Sequence, residues 1–171
     1  MNYFHHSFQS PLGALISVAS EQELLALFFA DTITLSDIFK KITKDSQPTK
    51  IIDATNSIIE LTKKELKLYF DKKLTKFSVP IKFIGTEFQT AVWHELITIP
   101  YSETRSYAAI AKGIHKSKAI RATGSAIGAN NINIIVPCHR IIHSNGATGN
   151  YYGNTENINR KVLLLQLEEN K

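Results

Sequence analysis

One segment of the sequence, NIIVPCHRII, places a nucleophile next to a base. It contains the only cysteine of the 171 residues, Cys138, followed by His139 and Arg140. A free thiol titrates near about 8.5, so a cysteine is an effective nucleophile at neutral pH only where a histidine, a cation or a helix N-terminus stabilises its thiolate. His139 and Arg140 can provide this stabilisation. The alternative, more common for a lone cysteine, is a small buried apolar side chain.

The elements around this segment decide how its side chains are presented. The β-branched apolar residues on both sides predict a buried strand that ends at Cys138. Further upstream, the N-terminal half has the pattern of a small α/β unit. The segments NYFHHSF, ALISVA and LLALFFA, separated by SPLG and SEQE, predict an antiparallel meander of three strands. Apolar residues at helical spacing from Thr49 to Phe70 predict a helix that covers the sheet.

The pattern changes to short helices after the segment KFSVPIKFIG, which we interpret as a linker. We therefore expect an α/β domain over residues 1–85 and a helical catalytic domain over residues 86–171. Thr86 and Gln89 form the capping-box pattern at the start of a helix that Pro100 stops. The sequence thus predicts two domains in one chain.

Two further short helices predict a helix-turn-helix. The first is capped by Ser106 and ends at Gly113, and the second is capped by Ser117 and ends at Gly128. At 100° per residue, the second helix has an apolar side and an opposite, basic side. The apolar side carries Ile120, Gly124 and Ile127, and the basic side carries Lys118, Arg121 and Ser125.

Charge and cysteine content narrow the class of protein. The net charge of +5 favours a polyanionic partner, and residues 101–150 hold six Lys or Arg against one acidic residue. One cysteine cannot form an internal disulfide or a cysteine-type zinc site. No apolar run approaches the roughly 20 residues of a membrane span, and the N-terminus lacks a targeting pattern. We expect a cytoplasmic protein, or a nuclear one if the source is eukaryotic, without a membrane or a metal.

Seven segments resemble the O6-alkylguanine-DNA alkyltransferases, the methylated-DNA–protein-cysteine methyltransferases. They are SPLG, GTEFQTAVWHEL, IPYSETRSYAAIA, KAIRATGSA, PCHRII, GATGNYYG and RKVLLLQLE, in the family's order. The resemblance implies a ribonuclease H-like N-terminal domain and a winged-helix-like C-terminal domain. It also implies DNA repair by direct reversal, in which one alkyl group moves irreversibly from O6 of guanine, or O4 of thymine, to Cys138 without a cofactor.

The resemblance assigns a role to each of five residues of the predicted catalytic group. Cys138 is the nucleophile, His139 is a base that acts through a water molecule, and Glu168 orients His139. Tyr107 gives a proton to the departing guanine, and Asn130 ties the helix-turn-helix to the cysteine segment. Neighbouring side chains on a strand point to opposite faces, which agrees with a water bridge between Cys138 and His139.

The implied partner is double-stranded DNA with the alkylated base flipped out of the stack, bound by a monomer. Arg121 would enter the stack and fill the gap. The other residues predicted to contact DNA are Lys118, Ala122, Ser125 and Tyr107. The residues predicted to contact the flipped base are Cys138, Ile141, Tyr151 and Tyr152.

The chain departs from the family's usual pattern at two positions. Asn131 stands where family members usually have proline, and Asn154 stands where they usually have a second glycine. Two other functions remain open from the residues alone. A Cys/His hydrolase would turn over many times through an acyl thioester, whereas a helix-turn-helix lesion binder would perform no chemistry.

Overall fold

A computed structural model describes residues 2–43, 50–149 and 158–169. Its contacts divide the chain into two compact units, the first formed by Met1–Ile84 with Asn131–Asn133 and the second by Gly85–Asn130 with Ile134–Lys171. The sequence gives no sign that residues 131–133 belong with the first unit. The division into domains 1–85 and 86–171 stays a proposal.

The first unit contains the three-stranded meander, which is confirmed. Its strands are β1 (Asn2–Ser10), β2 (Gly13–Ala19) and β3 (Leu24–Phe29), paired antiparallel in sequence order. Gly13 permits the tight connection from β1 to β2, because its φ of 119° lies in a region that L side chains rarely adopt. A fourth strand, β4 (Lys50–Asp53), pairs parallel to β1 at the edge of the sheet.

The predicted helix from Thr49 to Phe70 is wrong in its first part, where β4 lies. Helix α2 covers Ser57–Phe70, and Asn56 is its N-cap residue, whose side chain accepts a hydrogen bond from the N–H of Ile59. A helix that the sequence reading missed, α1 (Leu35–Ile42), packs with strand residues in the hydrophobic core of this unit. The core residues are Tyr3, Val18, Leu25, Ala26, Phe28, Ile38 and Ile42.

The segment 131–133 adds to the edge of this sheet at β3. The N–H of Leu27 donates to Asn131 O at 2.8 Å, and the N–H of Asn133 donates to Leu27 O at 2.7 Å. Lys41 of α1 donates to the side-chain oxygen of Asn131 at 3.3 Å. These bonds place residues 131–133 in the first unit, although the residues on both sides of them belong to the second.

The second unit is mainly helical. Its elements are α3 (Glu87–Ile97), β5 (Arg105–Ser106), α4 (Tyr107–Gly113), α5 (Ile120–Gly128), β6 (Ile141–Ile142) and α6 (Ile158–Glu169). The capping box of Thr86 and Gln89 is confirmed, as is the Ser106 cap of α4. Strands β5 and β6 pair in parallel, and Trp93 of α3 donates to Ala126 O of α5 at 2.8 Å.

Helix α5 differs in two respects from its prediction. It begins after Ala119 without a side-chain cap, so Ser117 is not the capping residue. Its packed side consists of Thr123, Ala126 and Ile127, while Ile120 is 44% exposed. Ile120 is the first residue of the helix, at the end of the apolar stripe.

Candidate active site

The segment that carries Cys138 is not the predicted strand. Ile134 has a φ of 71°, which strands do not use. Pro137 has φ and ψ of −82° and 61°, and the N–H of Cys138 donates to Val136 O at 2.8 Å, the geometry of an inverse γ-turn. Cys138 then begins a single 3-10 turn that ends at Arg140. Successive side chains in such a turn differ in direction by about 120°. Cys138 and His139 therefore point apart because of this rotation, and not because of the alternation expected on a strand.

Asn130 lies against Cys138 and fixes its position. The Asn130 side-chain amide donates to Cys138 Sγ at 3.2 Å and to Val136 O at 3.1 Å. Cys138 is only 5% exposed and Asn130 4%. A hydrogen bond donated to sulfur favours its charged form, which makes the thiolate a better nucleophile. Asn130, which follows α5, thus hydrogen-bonds to the cysteine segment, and its role in the reaction stays a prediction.

Glu168 lies behind the 3-10 turn and contacts both residues that follow the cysteine. Its Oε1 is 2.8 Å from His139 Nε2. Arg140 donates from Nε to Oε2 at 2.9 Å and from Nη2 to Oε1 at 3.0 Å. Arg140 also donates to Ile99 O at 2.7 Å, and the N–H of Ser102 donates to Glu168 Oε2 at 3.2 Å. Arg140 therefore holds the carboxylate of Glu168.

The charges of this buried group follow from its contacts. Burial alone would raise the pKa of Glu168, but the hydrogen bonds from His139 and Arg140 bring it well below its ordinary value. Burial lowers the pKa of His139, with the Glu168 contact opposing that effect. At neutral pH the pair is therefore an ionised carboxylate and a neutral imidazole.

Lys161 is a residue of this site that the sequence reading missed. It is 1% exposed and lies on α6, which packs against the 3-10 turn. Burial lowers the pKa of Lys161 to about 8, and the charge of Cys138 acts in the opposite direction. The available signal was its spacing, because seven residues before Glu168 is two helical turns, on the same face.

Tyr107 is the first residue of α4 and its ring is half-buried. Burial raises the pKa of Tyr107, and the charge of Cys138 raises it further. The phenol is therefore protonated at neutral pH and can donate. Its hydroxyl forms no hydrogen bond to any residue within the described ranges.

Four of the five residues predicted to bind DNA lie on or just before α5, and the fifth, Tyr107, begins α4. Lys118, Arg121, Ala122 and Ser125 are all exposed. Ser125 Oγ donates to Arg121 O at 3.3 Å within the helix. These four positions form one exposed surface of the second unit, and their contact with DNA stays a prediction.

Two of the four residues predicted to contact the base can be located. The N–H of Cys138 donates to Val136 O, and the N–H of Ile141 donates to Cys138 O. Because both N–H groups already have hydrogen-bond partners, contacts between these two residues and the base would involve other atoms. Tyr151 and Tyr152 lie outside the described residues.

Both parts of the chain match models of one protein family. Residues 3–83 match the ribonuclease-like domain of 6-O-methylguanine DNA methyltransferase, and residues 87–170 match its DNA binding domain. The chain belongs to the O6-methylguanine DNA methyltransferase family.

Relatives and a solved structure agree with this assignment. A methylated-DNA–protein-cysteine methyltransferase of Methanosarcina mazei is 38% identical over 98% of both chains. The inducible one of Bacillus subtilis is 49% identical over 61% of this chain, and the match spans 57% of the relative's length. The crystal structure of Mycobacterium tuberculosis OGT in complex with DNA has a TM-score of 0.81 and 36% identity, over 97% of this chain and 92% of that one.

In residues 2–43, 50–149 and 158–169, no group of three His, Cys, Asp or Glu side chains could hold a metal ion. Over the same residues, no helix has the length and apolar character needed to cross a membrane.

Proposed function

We propose that the protein repairs alkylated DNA by moving one alkyl group from O6 of guanine, and also from O4 of thymine, to Cys138. The observation that carries the proposal is the buried His139–Glu168 pair, 2.8 Å apart, directly after a cysteine whose sulfur accepts a hydrogen bond from Asn130. Family membership supports the class of substrate, because relatives over the whole length are named methylated-DNA–protein-cysteine methyltransferases.

The proposed reaction begins at the sulfur. Neutral His139 takes the thiol proton of Cys138 at Nδ1 through a water molecule, and Glu168 stabilises the imidazolium that forms. The thiolate attacks the alkyl carbon, so that an S–C bond forms and the C–O6 bond breaks. The electron pair of the broken bond stays with guanine.

Tyr107 completes the proton balance on the leaving group. Its hydroxyl proton passes to a ring nitrogen of guanine, which then departs as a neutral base and not as an anion. The product on Cys138 is a thioether, with neither a carbonyl for water to attack nor a good leaving group. Each chain therefore reacts once.

The target base must leave the duplex to reach Cys138. Flipping costs a few kcal/mol, and less for a base that pairs badly, as O6-alkylguanine does. The exposed positions of Lys118, Arg121, Ala122 and Ser125 support a DNA-facing surface on α5, with Arg121 filling the stack. We assign Tyr151 and Tyr152 to the closure over the base on the resemblance alone. We further propose that the protein acts as a monomer in the cytoplasm, or in the nucleus of a eukaryote.

The test is transfer of a labelled methyl group from a duplex that carries one O6-methylguanine. We expect at most one label per chain on the wild type, located on the peptide with Cys138, and none on Cys138→Ser. Ser144→Ala, an exposed substitution in the following loop, is the control for handling and folding. Label that stays on DNA with folded wild type, or that moves equally well to Cys138→Ser, contradicts the proposal. Repeated turnover of an ester would favour the hydrolase.

A further inference from the structure

The ring of Tyr107 packs against the ring of His143. Their centroids are 5.3 Å apart and their planes are inclined by 40°. His143 directly follows β6, and its backbone N–H and C=O groups both form hydrogen bonds within the turn that comes next. Its N–H donates to Ala147 O at 2.8 Å, and the N–H of Gly146 donates to His143 O at 2.9 Å. The His143 side chain therefore projects from a backbone that hydrogen bonds hold in place.

Gly149, in the same loop, lies next to these two rings. Gly149 has a φ of 66°, in the left-handed region that favours glycine. A Cβ at this position would come within 2.8 Å of His143 Nε2 and 3.3 Å of Tyr107 Oη. The backbone of Gly149 thus lies against the polar ends of both side chains.

Gly124 of α5 lies near the edge of the Tyr107 ring. A Cβ at Gly124 would be 3.7 Å from Cδ1 and 3.8 Å from Cε1 of Tyr107, which is ordinary contact distance. Because Gly124 has no side chain, α5 offers only backbone to the ring at this point. The ring of His143 is an aromatic side chain that packs against the phenol and can hold its orientation.

We propose that His143 is a positioning residue for alkyl transfer, holding the ring of Tyr107 so that its hydroxyl reaches the departing guanine. This inference rests on the proposed function. His143 itself forms and breaks no bond in the reaction; it acts only through Tyr107. Ring pairs of this kind contribute enough to change a rate about 2- to 10-fold when the contact is needed in the transition state.

The kinetic test is a double-mutant cycle on single-turnover methyl transfer. We expect His143→Ala to slow transfer about 2- to 10-fold and His143→Phe, which keeps a ring, to restore most of the rate. In a Tyr107→Phe background, which lacks the hydroxyl, His143→Ala should have no further effect. Ser144→Ala is the control for a change in the same loop. Equal slowing in both backgrounds, or an unchanged rate in His143→Ala, would overturn the proposal.

A second measurement does not depend on methyl transfer. The pH titration of the Tyr107 phenol can be followed by NMR in protein with ring-labelled tyrosine, and its signal assigned by Tyr107→Phe. Burial raises the pKa of Tyr107, so removal of the His143 ring should expose the phenol to water and lower that pKa. An unchanged titration in His143→Ala would reject the positioning role even if no methyl group moved. Absence of transfer together with a shifted titration would reject the proposed function and leave the His143–Tyr107 contact supported.

Discussion

His139 and Glu168 form a buried pair in which Nε2 of the imidazole lies 2.8 Å from Oε1 of the carboxylate. An ionised carboxylate only accepts hydrogen bonds, so Nε2 carries the proton and Nδ1 of the neutral ring carries the lone pair. Nδ1 is buried and has no hydrogen-bond partner among the described residues. The pair therefore fixes which nitrogen can act as the base.

Replacing Glu168 by Gln tests this arrangement. The amide can both donate and accept, so it no longer fixes the tautomer, and it cannot stabilise an imidazolium. We expect the single-turnover rate of methyl transfer to fall about 10²- to 10⁴-fold. The matched control is Glu169→Gln, the same change at the exposed neighbouring residue. A Glu168→Gln protein as fast as the control would contradict the proposed base.

Replacing Arg140 by Met tests the ion pair. It leaves the carboxylate of Glu168, 1% exposed, without its guanidinium partner. Removal of one partner from a buried pair costs about 3–5 kcal/mol, which we expect as a loss in the free energy of unfolding in urea. Arg121→Met, a change at an exposed arginine, should cost much less. Equal losses in the two variants would argue against the pair.

The difference in unfolding free energy between wild type and Arg140→Met should change with pH in a definite direction. The pKa of Glu168 is lower in the folded protein than its ordinary value of 4.5. Its contribution to stability is therefore fully present above about pH 4.5 and is lost as the pH falls towards the folded pKa. The difference in unfolding free energy between wild type and Arg140→Met should shrink below that pH. A difference that grows in acid would contradict this account.

We expect the buried ammonium of Lys161 to lower the free energy of unfolding while it stabilises the thiolate of Cys138. Its pKa falls from 10.5 to about 8 in the folded protein, so the cost of burying the charge is present below pH 8. That cost is relieved between pH 8 and 10.5, where only the unfolded chain remains protonated. Lys161→Met should therefore be about 1–3 kcal/mol more stable than wild type at pH 7, with the gain diminishing towards pH 10.5.

The functional half of this prediction is a loss of reactivity. Without the ammonium of Lys161, Cys138 should react more slowly with iodoacetamide at pH 7, because a nearby cation favours the thiolate. Lys112→Met, at an exposed position in the last turn of α4, is the control. A Lys161→Met protein that is less stable and equally reactive would contradict both expectations.

The proposed DNA-binding surface on and just before α5 predicts two different defects. Lys118→Ala should weaken binding to all duplexes and reduce the slope of log affinity against log salt by about 1, as loss of a phosphate contact does. Arg121→Ala should slow repair in duplex DNA but not transfer from free O6-methylguanine, because the free base needs no flipping. Lys40→Ala, an exposed change on α1, controls for net charge. Equal salt slopes in all three variants would contradict the assigned surface.

Local sequence patterns determined several parts of this molecule. Alternating strands with turn residues between them predicted the three-stranded meander, since hydrogen bonds between successive strands need only short connections. The Thr86 and Ser106 caps were predictable because a cap depends on residues within one turn. The proposed roles of Cys138, His139 and Glu168 were predictable from the family motifs PCHRII and RKVLLLQLE, because a motif is read from residue types and spacing without the backbone geometry.

Long-range contacts decided the rest. Strand β4 forms by pairing with β1, some 48 residues away in the register of Asn2 with Lys50, so local helical spacing was misleading there. Apolar residues favoured a strand before Cys138, but the positive φ of Ile134 and the turn at Pro137 bend that segment. The bend and the packing of α6 bring Glu168 to His139 and Arg140 and bury Lys161. Burial and charge pairing depend on these distant elements, so the sequence could name the reactive groups while the tertiary structure sets their protonation.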